Sequence, residues 1–153
     1  MSLRSGNLKI KGHLGAGTDG EVWKTDRRTA IKVFGYEQGY YNERDAYQRL
    51  ADFGVTNELD GFWLPKMIDY DDELLVIEMD VLQEPPYIID FAKVRIDRPP
   101  EFSEEIVRDN EARCREEFEH NWPKVKSLLL ALESFQIYYL DARRGNITFP
   151  DMR

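Results

Sequence analysis

Leu14-Gly15-Ala16-Gly17-Thr18-Asp19-Gly20-Glu21-Val22-Trp23-Lys24, followed after a polar turn by Thr29-Ala30-Ile31-Lys32-Val33-Phe34, is the stretch that decides the fold. Three glycines at G-x-G-x-x-G spacing let backbone N–H groups approach an anion, because no Cβ stands in the way and glycine tolerates positive φ. The same spacing serves a dinucleotide-binding βαβ unit, which requires a helix directly after the last glycine. Here Glu21 to Lys24 runs into the turn Thr25-Asp26-Arg27-Arg28 and then an apolar, β-branched run. That is strand, turn, strand, and the dinucleotide reading falls behind. The bland alternative is a glycine-bearing hairpin with an ordinary surface lysine at position 32.

The rest of the composition bounds what such a hairpin can belong to. At 153 residues and 42% hydrophobic content the chain suits one domain, or two small lobes sharing a hinge, and its strand and helix signals together make an α+β fold the expectation. A formal net charge of −8 argues against a surface that tracks nucleic-acid phosphates. Cys114 has no cysteine to pair with, and it cannot build a usual zinc site with His13 and His120 alone, so a reducing, cytoplasmic setting is expected. The longest apolar run, Leu128 to Leu132, is too short to cross a bilayer, so no membrane partner is expected.

Downstream, Tyr40, Ala46 or Tyr47, and Leu50 fall at helical spacing with Gly54 as a stop, and Glu43 lies on this helix. Taken alone, Glu43 reads as a solvated first-turn carboxylate. Phe62 to Tyr70 and Leu74 to Met79 read as strands. They are joined by Asp71-Asp72-Glu73, which lacks the glycine and distant glutamate of a calcium loop and reads as a solvated turn. Gln83-Glu84-Pro85-Pro86 breaks the pattern and marks a boundary. The segment from Tyr87 to Pro100 resists assignment. Ser103 is placed to cap a charged helix reaching about His120, whose thin stripe of Val107, Cys114 and Phe118 predicts a surface position. This acidic segment, residues 103–120, reads as a protein-partner surface or a spacer. A second helix starts at Asn121-Trp122-Pro123, and its wide stripe of Val125, Leu128, Leu129, Leu132 and Phe135 marks a core helix. It leads into Tyr139-Leu140-Asp141-Ala142-Arg143-Arg144-Gly145-Asn146-Ile147.

Glycine loop, strand lysine, helix, apolar strand and Asp-x-x-x-x-Asn, in this order, resemble the protein kinase family. The Gly145-Asn146-Ile147 ending is similar to small-molecule kinases such as the aminoglycoside and choline phosphotransferases. The resemblance implies an N-lobe over residues 1–82 and a reduced, mostly helical C-lobe over residues 83–153. It implies ATP as the bound nucleotide and Mg²⁺ as its metal. Gly15, Gly17, Gly20 and Val22 would then cover the phosphates. Ala30 and Lys32 would form the strand signature, with Lys32 on the α- and β-phosphates and Glu43 orienting it. Ile77 would be the gatekeeper, and the Glu78 carbonyl and Asp80 N–H would read the adenine edge. Asp141 would accept the acceptor hydroxyl's proton, Asn146 would ligate Mg²⁺, and Arg143 would contact the transferred phosphate.

The chain departs from the family at several points. Tyr139 and Leu140 replace the usual histidine and arginine before the aspartate. No Asp-Phe-Gly stands at its usual distance after Asn146, and Asp151 comes early for a metal ligand. A minimal or degenerate member is therefore expected: a phosphotransferase acting on a hydroxyl acceptor, or a pseudokinase that binds nucleotide or protein without turnover. A degenerate fold that binds no nucleotide is the third possibility.

Overall fold

The computed structural model describes residues 2–3, 6–16, 19–80, 85–88 and 91–150. Gly17, Asp151 and residues 81–84, which hold the end of the hinge expected near Glu78 to Leu82 and the start of the expected boundary, lie outside the described residues.

The fold is α+β, built on an antiparallel sheet. Two short strands, β1 (Ser2–Leu3) and β2 (Gly6–Asn7), pair with each other. The predicted hairpin follows as β3 (Ile10–Ala16), β4 (Gly20–Thr25) and β5 (Thr29–Phe34). Helix α1 (Glu37–Asp52) comes next, then the short strands β6 (Glu58–Leu59) and β7 (Phe62–Trp63), and the pair β8 (Lys66–Asp71) and β9 (Val76–Asp80). The main sheet has the order β3-β4-β5-β9-β8, every neighbour antiparallel. β5 lies at its centre because it is the most apolar strand, and a strand flanked on both sides buries most.

Side chains of β5 alternate between the two faces. Phe34 packs with Tyr40, Tyr47 and Leu50 of α1 and with Ile77 and Met79 of β9, while Ile31 joins Leu8 and Val76 in a smaller cluster. Helix α1 thus covers one face, along the stripe Tyr40, Glu43, Ala46, Tyr47 and Leu50. The turn expected to be merely solvated is tied to that helix. Asp72 Oδ1 accepts from the Tyr40 hydroxyl (2.6 Å) and from Arg44 (2.9 Å).

The segment that resisted assignment supplies β10 (Tyr87–Ile88) and β11 (Val94–Ile96). After α2 (Glu104–Phe118), a 3₁₀ turn η1 (Glu119–Asn121) and α3 (Trp122–Glu133) come β12 (Ile137–Tyr139) and β13 (Ile147–Thr148). β11 pairs with β12 and β10 with β13, both antiparallel. The order β13-β10-β7-β6 forms a small sheet, so strands from both sides of the expected boundary share hydrogen bonds. One apolar cluster likewise runs from Phe34 and Tyr40 through Phe91 to Leu128, Leu132 and Phe149.

Ser103 caps α2 as expected, its Oγ accepting from the Ile106 N–H at 3.2 Å. The expected surface position holds only for the helix's first half. Val107 is exposed, but Cys114 and Phe118 are buried. A thin stripe suffices because two large contacts at the C-terminal end dock the helix there. Burial also pushes the Cys114 thiol above its ordinary value.

Candidate functional site

Lys32 projects from the centre of β5 toward α1, and its Nζ lies 2.8 Å from Glu43 Oε1 with side-chain exposures of 4% and 1%. The helix places Glu43 there because Tyr40, Ala46 and Tyr47 fix which stripe of α1 faces the sheet. A solvated first-turn carboxylate is therefore not what Glu43 is. The Tyr47 hydroxyl donates to Glu43 Oε2 at 3.0 Å, holding the carboxylate in register. Removing either member of a buried ion pair strands the other charge, at a cost of about 3–5 kcal/mol.

The strands beside Lys32 carry the other expected residues. Val22 lies directly across from Lys32 on one side and Ile77 on the other, while Met79 faces Ala30. Gly15 pairs with Val22. A Cβ at Gly20 would sit 2.1 Å from the Val33 carbonyl oxygen, so only glycine fits where the loop re-enters the sheet. The adenine-reading roles expected for Glu78 and Asp80 need correcting. Both lie in β9, an inner strand, with partners on each side: Ile31 and Asp69 for Glu78, Thr29 and Lys66 for Asp80. Their backbone polar groups face neighbouring strands, and the Glu78 side chain turns away from Lys32 to accept from the Thr29 hydroxyl (2.7 Å).

The second cluster gathers at the end of β12. Asn146 Nδ2 donates to the Asp141 carbonyl and to Asp141 Oδ2, both at 2.8 Å. With its N–H groups turned to Asp141, the amide oxygen is the atom Asn146 has left to accept or ligate. Arg143 Nε donates to Asp141 Oδ1 at 3.2 Å. Helix α2 straps this loop down. Arg113 donates to the Ala142 carbonyl (3.3 Å), and Glu117 Oε1 accepts from the Arg144 N–H (3.2 Å). Rather than a spacer, α2 is thus a support for the loop holding Asp141.

Between the two clusters stands a segment that sequence reasoning missed. The Phe91 ring packs 5.1 Å from Tyr47 of α1 and 5.9 Å from Tyr139, centroid to centroid. Two residues on, the Lys93 N–H donates to Asp19 Oδ2 (2.8 Å), and Lys93 Nζ lies 3.9 Å from Asp141 Oδ1. Asp19, between the second and third glycines, also accepts from the Tyr36 hydroxyl at 2.7 Å. That hydrogen bond keeps the Tyr36 phenol above its ordinary value and so a donor. Contacts therefore run without a break from Lys32 through Glu43, Tyr47, Phe91 and Tyr139 to the chain segment bearing Asp141. Residues 87–100 offered no periodicity from which this bridging role could be read.

Among the described residues no group of three or more His, Cys, Asp or Glu side chains is placed to hold a metal, and no helix is long and apolar enough to cross a membrane. A cavity of about 120 Å³ between α1 and β8, lined by Tyr47, Leu50, Leu64 and Met67 among others, includes none of Lys32, Asp141 and Asn146. No protein-family model and no curated protein matches the chain.

Proposed function

We propose that this is a kinase-like nucleotide-binding protein whose site moves the γ-phosphoryl group of ATP to a hydroxyl acceptor. The observation that carries the reading is the buried Lys32–Glu43 pair, set beside a hairpin whose turn back into the sheet admits only glycine. A lysine ammonium fixed by a helix carboxylate, next to a loop of close-approaching backbone, suits the α- and β-phosphates of a nucleotide. The sheet order β3-β4-β5-β9-β8 with α1 on one face agrees with the N-lobe that the resemblance implies. The adenine-reading backbone moves beyond Asp80, because β9 is hydrogen-bonded on both sides to that point. The gatekeeper role accordingly moves from Ile77 to Met79, on the same face and nearer the strand's end.

Asp141 would take the proton released by the acceptor hydroxyl, with Asn146 orienting its carboxylate. Mg²⁺, held in part by the Asn146 amide oxygen, would supply charge neutralisation at the triphosphate. Its carboxylate ligand is sought at Asp90, the chain neighbour of Phe91, or at Asp151, and both lie outside the described residues. The second reading is a pseudokinase that keeps the Lys32–Glu43 pair and binds nucleotide without turnover.

The test is a thermal-unfolding titration with ATP, with and without Mg²⁺, since a ligand selective for the native state raises the melting temperature by mass action. A Mg²⁺-dependent rise lost in Asp90→Asn and kept in Asp151→Asn supports the transferase reading and assigns the ligand. A metal-independent rise supports the pseudokinase. No rise at saturating ATP sinks both.

A further inference from the structure

We infer that Lys93 is a phosphate-binding residue of this site, one that takes the terminal phosphate of a nucleoside triphosphate. The inference rests on the kinase-like reading above and adds a cation which that reading does not contain.

Lys93 touches both the glycine hairpin, at Asp19, and Asp141. Its N–H holds the Asp19 carboxylate at 2.8 Å, and its ammonium reaches toward Asp141. Its backbone is pinned from both sides, by Phe91 packed on Tyr47 and Tyr139 and by Val94 paired with Tyr139 in the β11–β12 ladder. It stands at φ +57°, a conformation that costs a lysine more than it would a glycine or asparagine. Backbone demand alone therefore does not explain a lysine at this position. Arg28, Asp60, Leu75, Asp97, Glu119 and Gln136 share this conformation, so the case for Lys93 rests on its contacts.

The side chain is not committed to its partner. At 3.9 Å the Lys93–Asp141 contact is long, and the lysine side chain is 47% exposed. Asp141 Oδ1 already accepts from Arg143 at 3.2 Å, and Asn146 serves Oδ2. The Lys93 ammonium is thus free to swing on its flexible stem to a closer anion. A phosphate entering between the glycine hairpin and Asp141 brings negative charge toward a carboxylate. Lys93 and Arg143, arriving from separate chain segments, are the cations placed to offset that repulsion. Lys93 takes no part in bond making or breaking. Because Lys32 sits deeper, on β5, the two lysines divide the triphosphate, with Lys93 at its outer end.

The division gives a readout that a structural role would not move. Dissociation constants for ATP and for ADP, each with Mg²⁺, are measured by calorimetry on the whole chain. Lys93→Met is expected to weaken ATP about tenfold while leaving ADP within about twofold, since one charge-assisted contact to the γ-phosphate is lost. Lys93→Arg should restore most of the ATP affinity. Lys32→Met should weaken both nucleotides together. Equal loss of ATP and ADP in Lys93→Met, or loss of neither while the wild type binds, overturns the assignment and leaves the kinase-like reading intact. A wild type that binds neither nucleotide overturns both. The unliganded melting temperature should stay within about 2 °C of the wild type, as for any half-exposed ion pair. Should Lys93→Met melt lower, Lys93→Asn, which tolerates left-handed backbone, carries the same comparison.

Discussion

The main sheet and the clasp of β10, β11, β12 and β13 are both antiparallel, yet they hold the molecule together in opposite ways. In the sheet, β3 pairs with β4, β4 with β5 and β8 with β9 across short turns, so neighbours in space are mostly neighbours in sequence. In the clasp, Ile88 pairs with Ile147 and Val94 with Tyr139, so each ladder closes a long loop that contains α2 and α3. Local pairing leaves its mark in turn residues and alternation. Long-range pairing of two- and three-residue strands leaves almost none. What joins the two regions is side-chain contact: Tyr47 on Phe91, and the Asp19 carboxylate on the Lys93 N–H.

If sheet and clasp form one cooperative unit, damage to either lowers the same single transition. The largest effect is expected from Glu43→Ala, which strands the buried Lys32 and costs about 3–5 kcal/mol. Urea unfolding followed by both circular dichroism and tryptophan fluorescence checks it. Two separate midpoints would break the picture of one unit. Phe91→Ala should cost a similar or slightly smaller amount, about 3–4 kcal/mol, because it opens a cavity where Tyr47 and Tyr139 meet. A loss confined to near-ultraviolet signal with an unchanged midpoint would show that the clasp merely leans on the sheet.

Smaller effects sharpen the comparison inside each region. Burial first, and then the hydrogen bond to Asp72, push the Tyr40 phenol far above its ordinary value of 10. A group held protonated in the fold contributes stability that is present below its unfolded pKa and lost as pH climbs above about 10. The alkaline fall in stability should be shallower in Tyr40→Phe, read from urea midpoints between pH 9 and 11. Finally, Ser103→Ala removes the α2 cap at a cost of about 1 kcal/mol. It should also quicken alkylation of the buried Cys114, whose exposure reports release of the helix. An unchanged alkylation rate would mean that Phe118, not the cap, sets the docking of α2.

Much of the candidate site was legible. The glycine spacing, the strand lysine and the helical stripe carrying Glu43 each follow from local rules, and the structure brings Lys32 and Glu43 together. Asp141 and Asn146 were legible from their spacing, and they do hydrogen-bond. Three things were not. Glu78 and Asp80 belong to an inner strand, because sequence marks a strand but not how many neighbours it has. The hold of Arg113 and Glu117 on the loop around Asp141 depends on which face of α2 docks, and its sparse stripe did not say. Phe91 and Lys93 lay in a segment without periodicity, since strands of two or three residues are too short to show one.

What this sequence by itself determined is therefore whatever depends on residues close along the chain: the glycine hairpin, the alternation of β5, the stripe of α1, the cap at Ser103 and the Asp141–Asn146 spacing. Backbone sterics, side-chain period and capping chemistry act over a few residues and are written there. Only the tertiary structure decided that Asp19 meets Lys93, that Phe91 fills the space between Tyr47 and Tyr139, and that α2 straps the Asp141 loop. All of them span long separations in sequence: the Phe91 packing comes from burying apolar area, which is non-directional and names no partner until the chain has closed on itself, and the hydrogen bonds form only once that closure brings their groups within reach.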